Sequence, residues 1–121
     1  MAPKTVLLVD PHQDSRVVYA TLLSYSGFRV LEAVDEEEGL RMARAGEADV
    51  ILTELFPWGE GGKMLPERLH EEPATSAIPV IALTAHLVPE EWARALSRSG
   101  ARVLTKPCGP GRVLEEVRSL L

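Results

Sequence analysis

Val6–Val9, a continuous run of Val, Leu, Leu and Val, decides the fold class because similar runs return along the chain. In Val50–Leu52 and Val80–Leu83, apolar and β-branched residues likewise follow one another with no polar residue between them. Such runs predict strands buried on both faces, as in a parallel sheet. Phe28–Leu31 and Arg102–Leu104 are less apolar and predict strands nearer the edges of that sheet.

Helical patterns lie between these strands and after the last one. In the first pattern, Val18, Leu22 and Tyr25 stand at positions i, i+4 and i+7, which predicts an apolar stripe on a helix that stops at Gly27. Capping residues and apolar spacing predict the other four helices, over Asp35–Ala45, about Lys63–His70, Pro89–Gly100 and from Pro110 to the end of the chain.

Strand and helix therefore alternate five times. Short connections between parallel strands require right-handed helical crossovers, which cover both faces of the sheet. The sequence predicts a single α/β domain over residues 1–121, with a doubly wound, five-stranded parallel sheet. We expect a flavodoxin-like (βα)5 topology with strand order 2-1-3-4-5, an order taken in part from known examples of this topology. The last helix reaches the end of the sequence, so we expect no output domain within it.

The composition excludes several classes of protein. The 121 residues are 45% hydrophobic, enough for one buried core, and a net charge of −5 argues against binding to a nucleic-acid backbone. No apolar run exceeds four residues, so we expect no membrane span and, with no secretory signal in view, a cytoplasmic protein. The single cysteine excludes an internal disulfide and a cysteine-built zinc site. Only four of the eighteen acidic residues are Asp.

Polar residues stand at the ends of four predicted strands. Asp10 follows the first strand, Glu54 ends the third, Thr84 ends the fourth and Lys106 follows the fifth. In an open α/β sheet, ligands bind outside the carboxyl ends of the strands, near the point where the strand order reverses. Each residue alone has a structural explanation, as a helix cap or a surface lysine. The convergence of two carboxylates, a hydroxyl and an amine on one edge predicts a functional site.

Four segments carry a resemblance to a known family. They are TVLLVDPHQDSR, ADVILTEL, IPVIALTA and GARVLTKP, and in this order and spacing the chain resembles a response-regulator receiver domain along its whole length. The resemblance implies a domain that takes a phosphoryl group from a histidine kinase onto an Asp at the end of strand 3. It also implies acids after strand 1 that hold Mg²⁺, with Thr84 and Lys106 in the positions that sense the phosphoryl group.

Four positions depart from the family pattern. The phosphoacceptor position holds Glu54 instead of Asp, and Pro11 stands where a second acid is usual. Val103 occupies the position of the aromatic switch residue, and the loop proline after strand 3, Pro57, comes one residue early. Acceptor, metal site and switch are thus altered. We therefore expect no cofactor, with a bound Mg²⁺ ion kept as the alternative.

Glu54 has two interpretations. Its side chain is longer than that of Asp by one C–C bond, about 1.5 Å, which extends the carboxylate into the space between Thr84 and Lys106. It either holds the site permanently in an active-like arrangement or preserves a Glu–Lys bridge that stabilises the fold. In both interpretations we expect Glu54 not to be phosphorylated, because phosphoryl transfer depends on positioning.

Two further motifs are weaker, and we interpret both as ordinary loop features and not as binding sites. Gly59–Lys63 is similar to a phosphate-binding loop, but no Ser or Thr follows Lys63, so we interpret it as a flexible loop. His12, His70 and His86 have no metal-binding spacing, although His12 and His86 can flank one pocket; both are interpreted as solvated loop residues.

Three further side chains are less specific. Cys108 lies two residues after Lys106, but we do not assign it a redox role. Trp58 lies beside the predicted pocket, and Trp92, on the fourth helix, fits either an interface or the core.

The sequence predicts a degenerate receiver, a pseudo-receiver, that works by protein–protein contact and is not an enzyme. The predicted contact face is helix 4, strand 5 and helix 5, and the candidate partners are a histidine kinase, an output protein or a second copy of the chain. One alternative is a functional Mg²⁺-dependent phosphoreceiver. Another is a small α/β enzyme that uses Asp10, Glu54 and Lys106 for acid–base chemistry.

Overall fold

A computed structural model describes residues 2–55, 63–84, 88, 90–106 and 108–121. Its five strands are β1 (Thr5–Val9), β2 (Arg29–Ala33), β3 (Val50–Glu54), β4 (Val80–Thr84) and β5 (Arg102–Thr105). Its five helices are α1 (Gln13–Tyr25), α2 (Glu36–Arg44), α3 (Leu65–Glu71), α4 (Glu90–Arg98) and α5 (Pro110–Ser119). Strand and helix alternate as predicted.

The strands form one parallel sheet in the order β2-β1-β3-β4-β5, which confirms the predicted topology. The register aligns Val9 with Thr53, Glu54 with Leu83 and Thr84 with Thr105. The carboxyl ends of β1, β3, β4 and β5 therefore lie at the same edge.

Apolar layers cover both faces of the sheet. Leu8, Leu52 and Leu83 pack with residues of α1 and α5, whereas Leu7 and Ile51 pack with residues of α2 and α3. Every residue of β1 and β4 is buried, while β2 and β5 at the two edges are largely exposed or half-buried. The continuous apolar runs are thus explained by burial on both faces.

The predicted apolar stripe of α1 is wrong. Val18 and Tyr25 are 53% and 93% exposed, and the residues buried against the sheet are Tyr19 and Leu23. Both sets have helical spacing, so periodicity did not distinguish them, and packing against β1 and α5 selects the second. In α5, where apolar spacing predicted the helix, Val113 and Val117 are fully buried.

Helix boundaries follow the predicted signals. The Asp35 side chain caps α2 by accepting a hydrogen bond of 2.8 Å from the Glu38 N–H. Gly27 and Gly100 follow α1 and α4 with φ angles of 97° and 76°, a backbone conformation that favours glycine. Pro89, the predicted start of helix 4, lies outside the described residues.

Helices α2 and α3 are joined through a buried carboxylate. Glu36 accepts a hydrogen bond of 2.8 Å from the Leu65 N–H at the start of α3. Burial raises the pKa of Glu36, opposed by this hydrogen bond and by Arg68, while Glu37 adds to the increase.

Within the described ranges, none of the helices has the length and apolar content needed to cross a membrane.

Candidate functional site

The structure brings together the four strand-end residues on one edge of the sheet. Glu54 ends β3 and Thr84 ends β4, while Asp10 and Lys106 directly follow β1 and β5. The Lys106 backbone N–H donates a hydrogen bond of 2.7 Å to the Thr84 carbonyl, which fixes the start of the loop after β5. Parallel register therefore produces the convergence that the sequence pattern predicted.

An ion pair joins Glu54 to Lys106. The Lys106 ammonium donates to Glu54 Oε1. The side chains are only 11% and 22% exposed, so solvent and salt screen this pair less than a pair on the open surface. The longer Glu side chain has thus reached the amine, as both interpretations of Glu54 require.

Tyr19 is a site residue that was not predicted from the sequence. Its buried ring lies on α1 with the Lys106 Nζ atom 5.9 Å from the ring centroid, within the range of a cation–π contact. Burial raises the pKa of the Tyr19 hydroxyl, opposed by Lys106 and reinforced by Cys108, Glu54 and Asp10. The aromatic residue four positions before Leu23, on the apolar row that α1 buries, was the available signal.

Asp10 is buried at the end of β1, with 1% of its surface exposed. Its Oδ1 atom accepts a hydrogen bond of 2.8 Å from the His12 N–H, and His12 itself is the N-cap of α1. Oδ2 is buried and has no hydrogen-bond partner within the described part of the chain. The sequence left open a structural role for Asp10 as the cap of the first helix. The N-cap is instead His12, and Oδ2 of Asp10 stays unpaired within the ranges that the structure describes.

The donor set after β1 differs from what the family resemblance implies for Mg²⁺. Mg²⁺ prefers near-octahedral oxygen coordination. Pro11, which offers no acid, replaces one expected carboxylate, and Glu54 already pairs with Lys106. One donor atom from each of Asp10, His12 and Glu54 lies within 4.8 Å of the other two. The nitrogen donor in this group makes the site a poor fit for Mg²⁺.

Of the remaining predicted residues, some are described by the structure and others lie outside the described ranges. Thr84 is buried at the end of β4, whereas Val103 on β5 is exposed. Trp92 is half-buried and packs against the apolar cluster of Ala82 and Leu96. Cys108 is half-buried and packs against the apolar layer between the sheet and the helices α1 and α5. His86, Pro57, Trp58 and the glycines at 59, 61 and 62 lie outside the described residues.

Comparison with known proteins identifies the family. The family model of the response regulator receiver domain matches residues 6–118. Protein PilH of Pseudomonas aeruginosa is 30% identical over 119 residues, which cover 96% of this chain and 96% of PilH. The phosphate regulon transcriptional regulatory protein PhoB of the same species is 28% identical over 121 residues. These cover 100% of this chain but 53% of PhoB, so the chain spans about half the length of that relative.

Solved structures give the same result. The chemotaxis protein CheY4 of Vibrio cholerae matches with a TM-score of 0.85 and 26% identity, covering 99% of this chain and 100% of that one. A response regulator from Desulfuromonas acetoxidans matches with a TM-score of 0.84 and 25% identity, covering 97% of this chain and 95% of that one. The chain therefore belongs to the response regulator receiver domain family and is a signal-transduction domain of the CheY and PilH type.

Proposed function

We propose that this receiver domain signals by protein–protein contact and that Glu54 is not phosphorylated. The observation that carries the proposal is the ion pair between Glu54 and Lys106. The family resemblance assigns the amine at this position to a phosphoryl group, and here the carboxylate at the acceptor position holds it. The site then keeps one arrangement whether or not a kinase is active.

The chemistry of phosphoryl transfer supports the same conclusion. Catalysis of this transfer consists mainly of holding the attacking oxygen in line with the phosphorus and neutralising charge. The extra C–C bond of Glu54 displaces its oxygens by about 1.5 Å relative to those of an Asp. Pro11 supplies no carboxylate for the Mg²⁺ ion that would neutralise the phosphoryl charge. Two requirements of the reaction are thus weakened together.

The proposed contact face consists of α4, β5 and α5. Val103 exposes an apolar side chain there. Between β5 and α5, the buried Glu116 carboxylate accepts hydrogen bonds of 3.1 Å from Arg102 and 2.8 Å from Arg112, which fixes two exposed guanidinium groups. An exposed apolar residue and ordered arginines on these elements suit recognition of another protein. We propose a non-enzymatic role in the cytoplasm, with a histidine kinase, an output protein or a second copy as partner.

Intact-mass spectrometry after incubation with acetyl phosphate and Mg²⁺ tests the proposal. We expect the mass of the chain to stay unchanged. A gain of one phosphoryl group would instead identify a functional phosphoreceiver. With a partner in hand, Glu54→Gln distinguishes the two roles of the ion pair. Loss of partner binding by the folded variant indicates an active-like arrangement, and retained binding indicates a structural bridge.

A further inference from the structure

The end of β1 carries a donor group that the proposed function does not use. Asp10 Oδ2 is buried without a hydrogen-bond partner among the described residues, although Asp10 is 1% exposed. An unpaired buried carboxylate oxygen is costly because it has lost its hydration without replacement. Arg16 does not relieve it, since its guanidinium donates to the Asp10 backbone carbonyl and to Glu32. A cation at this carboxylate would supply the missing partner.

His12 brings an imidazole to the same carboxylate. Its backbone N–H is hydrogen-bonded to Asp10 Oδ1, and its Nδ1 atom lies 3.3 Å from that oxygen. The side chain is 73% exposed, so it is free to rotate toward an ion without disturbing the core. From its sequence position His12 was expected to be a solvated loop residue, but the fold places its ring beside a buried acid.

Glu54 completes the donor group. One donor atom from each of Asp10, His12 and Glu54 lies within 4.8 Å of the other two. Only Oε1 of Glu54 takes part in the ion pair with Lys106. With Arg16 and its partner Glu32 included, three carboxylates stand against the two cationic side chains of Lys106 and Arg16, so the local charge favours a cation.

We propose that Asp10, His12 and Glu54 bind a late first-row transition ion such as Zn²⁺, in preference to Mg²⁺. Imidazole suits these ions, whereas Mg²⁺ requires hard oxygen ligands. Three protein ligands with water in the fourth position is an arrangement that zinc adopts in catalytic sites. One donor atom from each residue already lies within 4.8 Å of the other two, and the exposed His12 ring can rotate toward an ion held by the two carboxylates.

A bound transition ion would contradict the expectation, drawn from the sequence, that the domain holds no cofactor. The metal site does not rest on the proposed function, because an ion held by these three side chains requires no phosphoacceptor. The experiments also distinguish failure of the metal-site proposal from failure of the proposed function. Metal titration involves no phosphoryl donor, and the mass measurement with acetyl phosphate involves no transition ion.

Isothermal titration of the untagged chain with zinc chloride, and separately with magnesium chloride, tests the metal site. We expect one Zn²⁺ per chain and at least about tenfold weaker binding of Mg²⁺. His12→Gln should weaken Zn²⁺ binding at least about tenfold, since even outer-shell changes at metal sites have effects of this size. His70→Gln is the matched control, because His70 is also exposed but lies at the far end of α3 from this edge.

Cobalt provides a second readout. Co²⁺ bound by His12 and the two carboxylates should give visible absorption bands that His12→Gln and Asp10→Asn abolish and His70→Gln retains. Circular dichroism confirms that each variant is folded. Equal Zn²⁺ affinity in His12→Gln and His70→Gln would overturn the proposal, because it would show binding elsewhere on the surface. Mg²⁺ affinity equal to that of Zn²⁺ would overturn the assigned metal class.

Discussion

The Glu54 carboxylate and the Lys106 ammonium are paired across the end of β4, since β3 and β5 are not neighbours in the sheet. The pair connects two strands that share no backbone hydrogen bonds, beside Thr84 at the end of the strand between them. A side chain one carbon longer than Asp thus forms a cross-sheet link. This partly buried ion pair needs no phosphoryl group in order to form.

Removing Lys106 should destabilise the fold more than removing a surface lysine. Lys106→Met leaves the Glu54 carboxylate partly buried and unpaired, which should lower the free energy of unfolding by about 1–3 kcal/mol. Lys63→Met is the matched control. Lys63 pairs with Glu71 at the surface, and exposed pairs contribute only about 0–1 kcal/mol. Urea denaturation of both variants measures the difference, and equal losses would show that the Glu54–Lys106 pair is fully screened.

Restoring the acceptor alone should not restore phosphorylation. Glu54→Asp corrects the position of the carboxylate, but Pro11 still provides no acid for Mg²⁺. We expect little phosphoryl gain from acetyl phosphate and Mg²⁺ in the single variant. A clear gain is expected only when Glu54→Asp is combined with Pro11→Asp. Intact mass over time reports both rates. If the single variant reacts as fast as the double variant, position 11 is irrelevant to the reaction.

Glu36 should make stability depend on pH. Its pKa in the folded state is raised from the ordinary value of 4.5, mainly by burial, so the folded protein binds this proton more tightly than the unfolded chain. The resulting stabilisation is present below the unfolded pKa and lost as the pH rises through the folded pKa. Relative to Glu36→Gln, the wild type should therefore be more stable at about pH 4 than at about pH 7.

Denaturation curves at several pH values measure this difference. Glu37→Gln, an exposed neighbour on the same helix, controls for the loss of one charge from the first turn of α2. A difference between wild type and Glu36→Gln that does not change with pH would contradict the prediction.

Gly39 should not tolerate a methyl group, although it lies within a helix. A Cβ atom at Gly39 would lie 2.9 Å from Val9 Cγ2 and 3.2 Å from Cγ1, and Val9 is fully buried. Gly39→Ala should gain about 1 kcal/mol of helix propensity. It should lose about 1–3 kcal/mol to overpacking, with a net decrease in stability.

Gly111 is the matched control in α5. A Cβ atom there has no neighbour within 4 Å, so Gly111→Ala should raise the melting temperature while Gly39→Ala lowers it. If both variants are stabilised, Val9 has room to move.

Val103 should contribute to pairing of two copies. We expect the wild-type domain to self-associate at high concentration through α4, β5 and α5, and Val103→Lys to weaken this by adding a charge to the face. Val18→Lys replaces a comparably exposed valine on α1 and should leave association unchanged. Light scattering over a concentration series measures the mass. A wild type that remains monomeric throughout, or equal effects of the two variants, would exclude this face for pairing of copies.

The sequence by itself determined the sheet and the identity of the strand-end residues. Continuous apolar runs identified strands buried on both faces, and parallel strands necessarily place their carboxyl ends on one edge. The presence of Asp10, Glu54, Thr84 and Lys106 at one site therefore followed from the order of elements. The substitution of Glu54 for Asp was equally visible, because it depends only on position along the chain.

Only the tertiary structure decided which side chains contact one another. Two rows on α1 had helical spacing, and packing against the sheet buried the row of Tyr19 and Leu23 instead of Val18 and Tyr25. The pairing of Glu54 with Lys106, and the approach of His12 to Asp10, depend on strand register, loop path and side-chain rotamers. Sequence periodicity determines which residues share a face of an element, but distances between elements arise only when those faces pack.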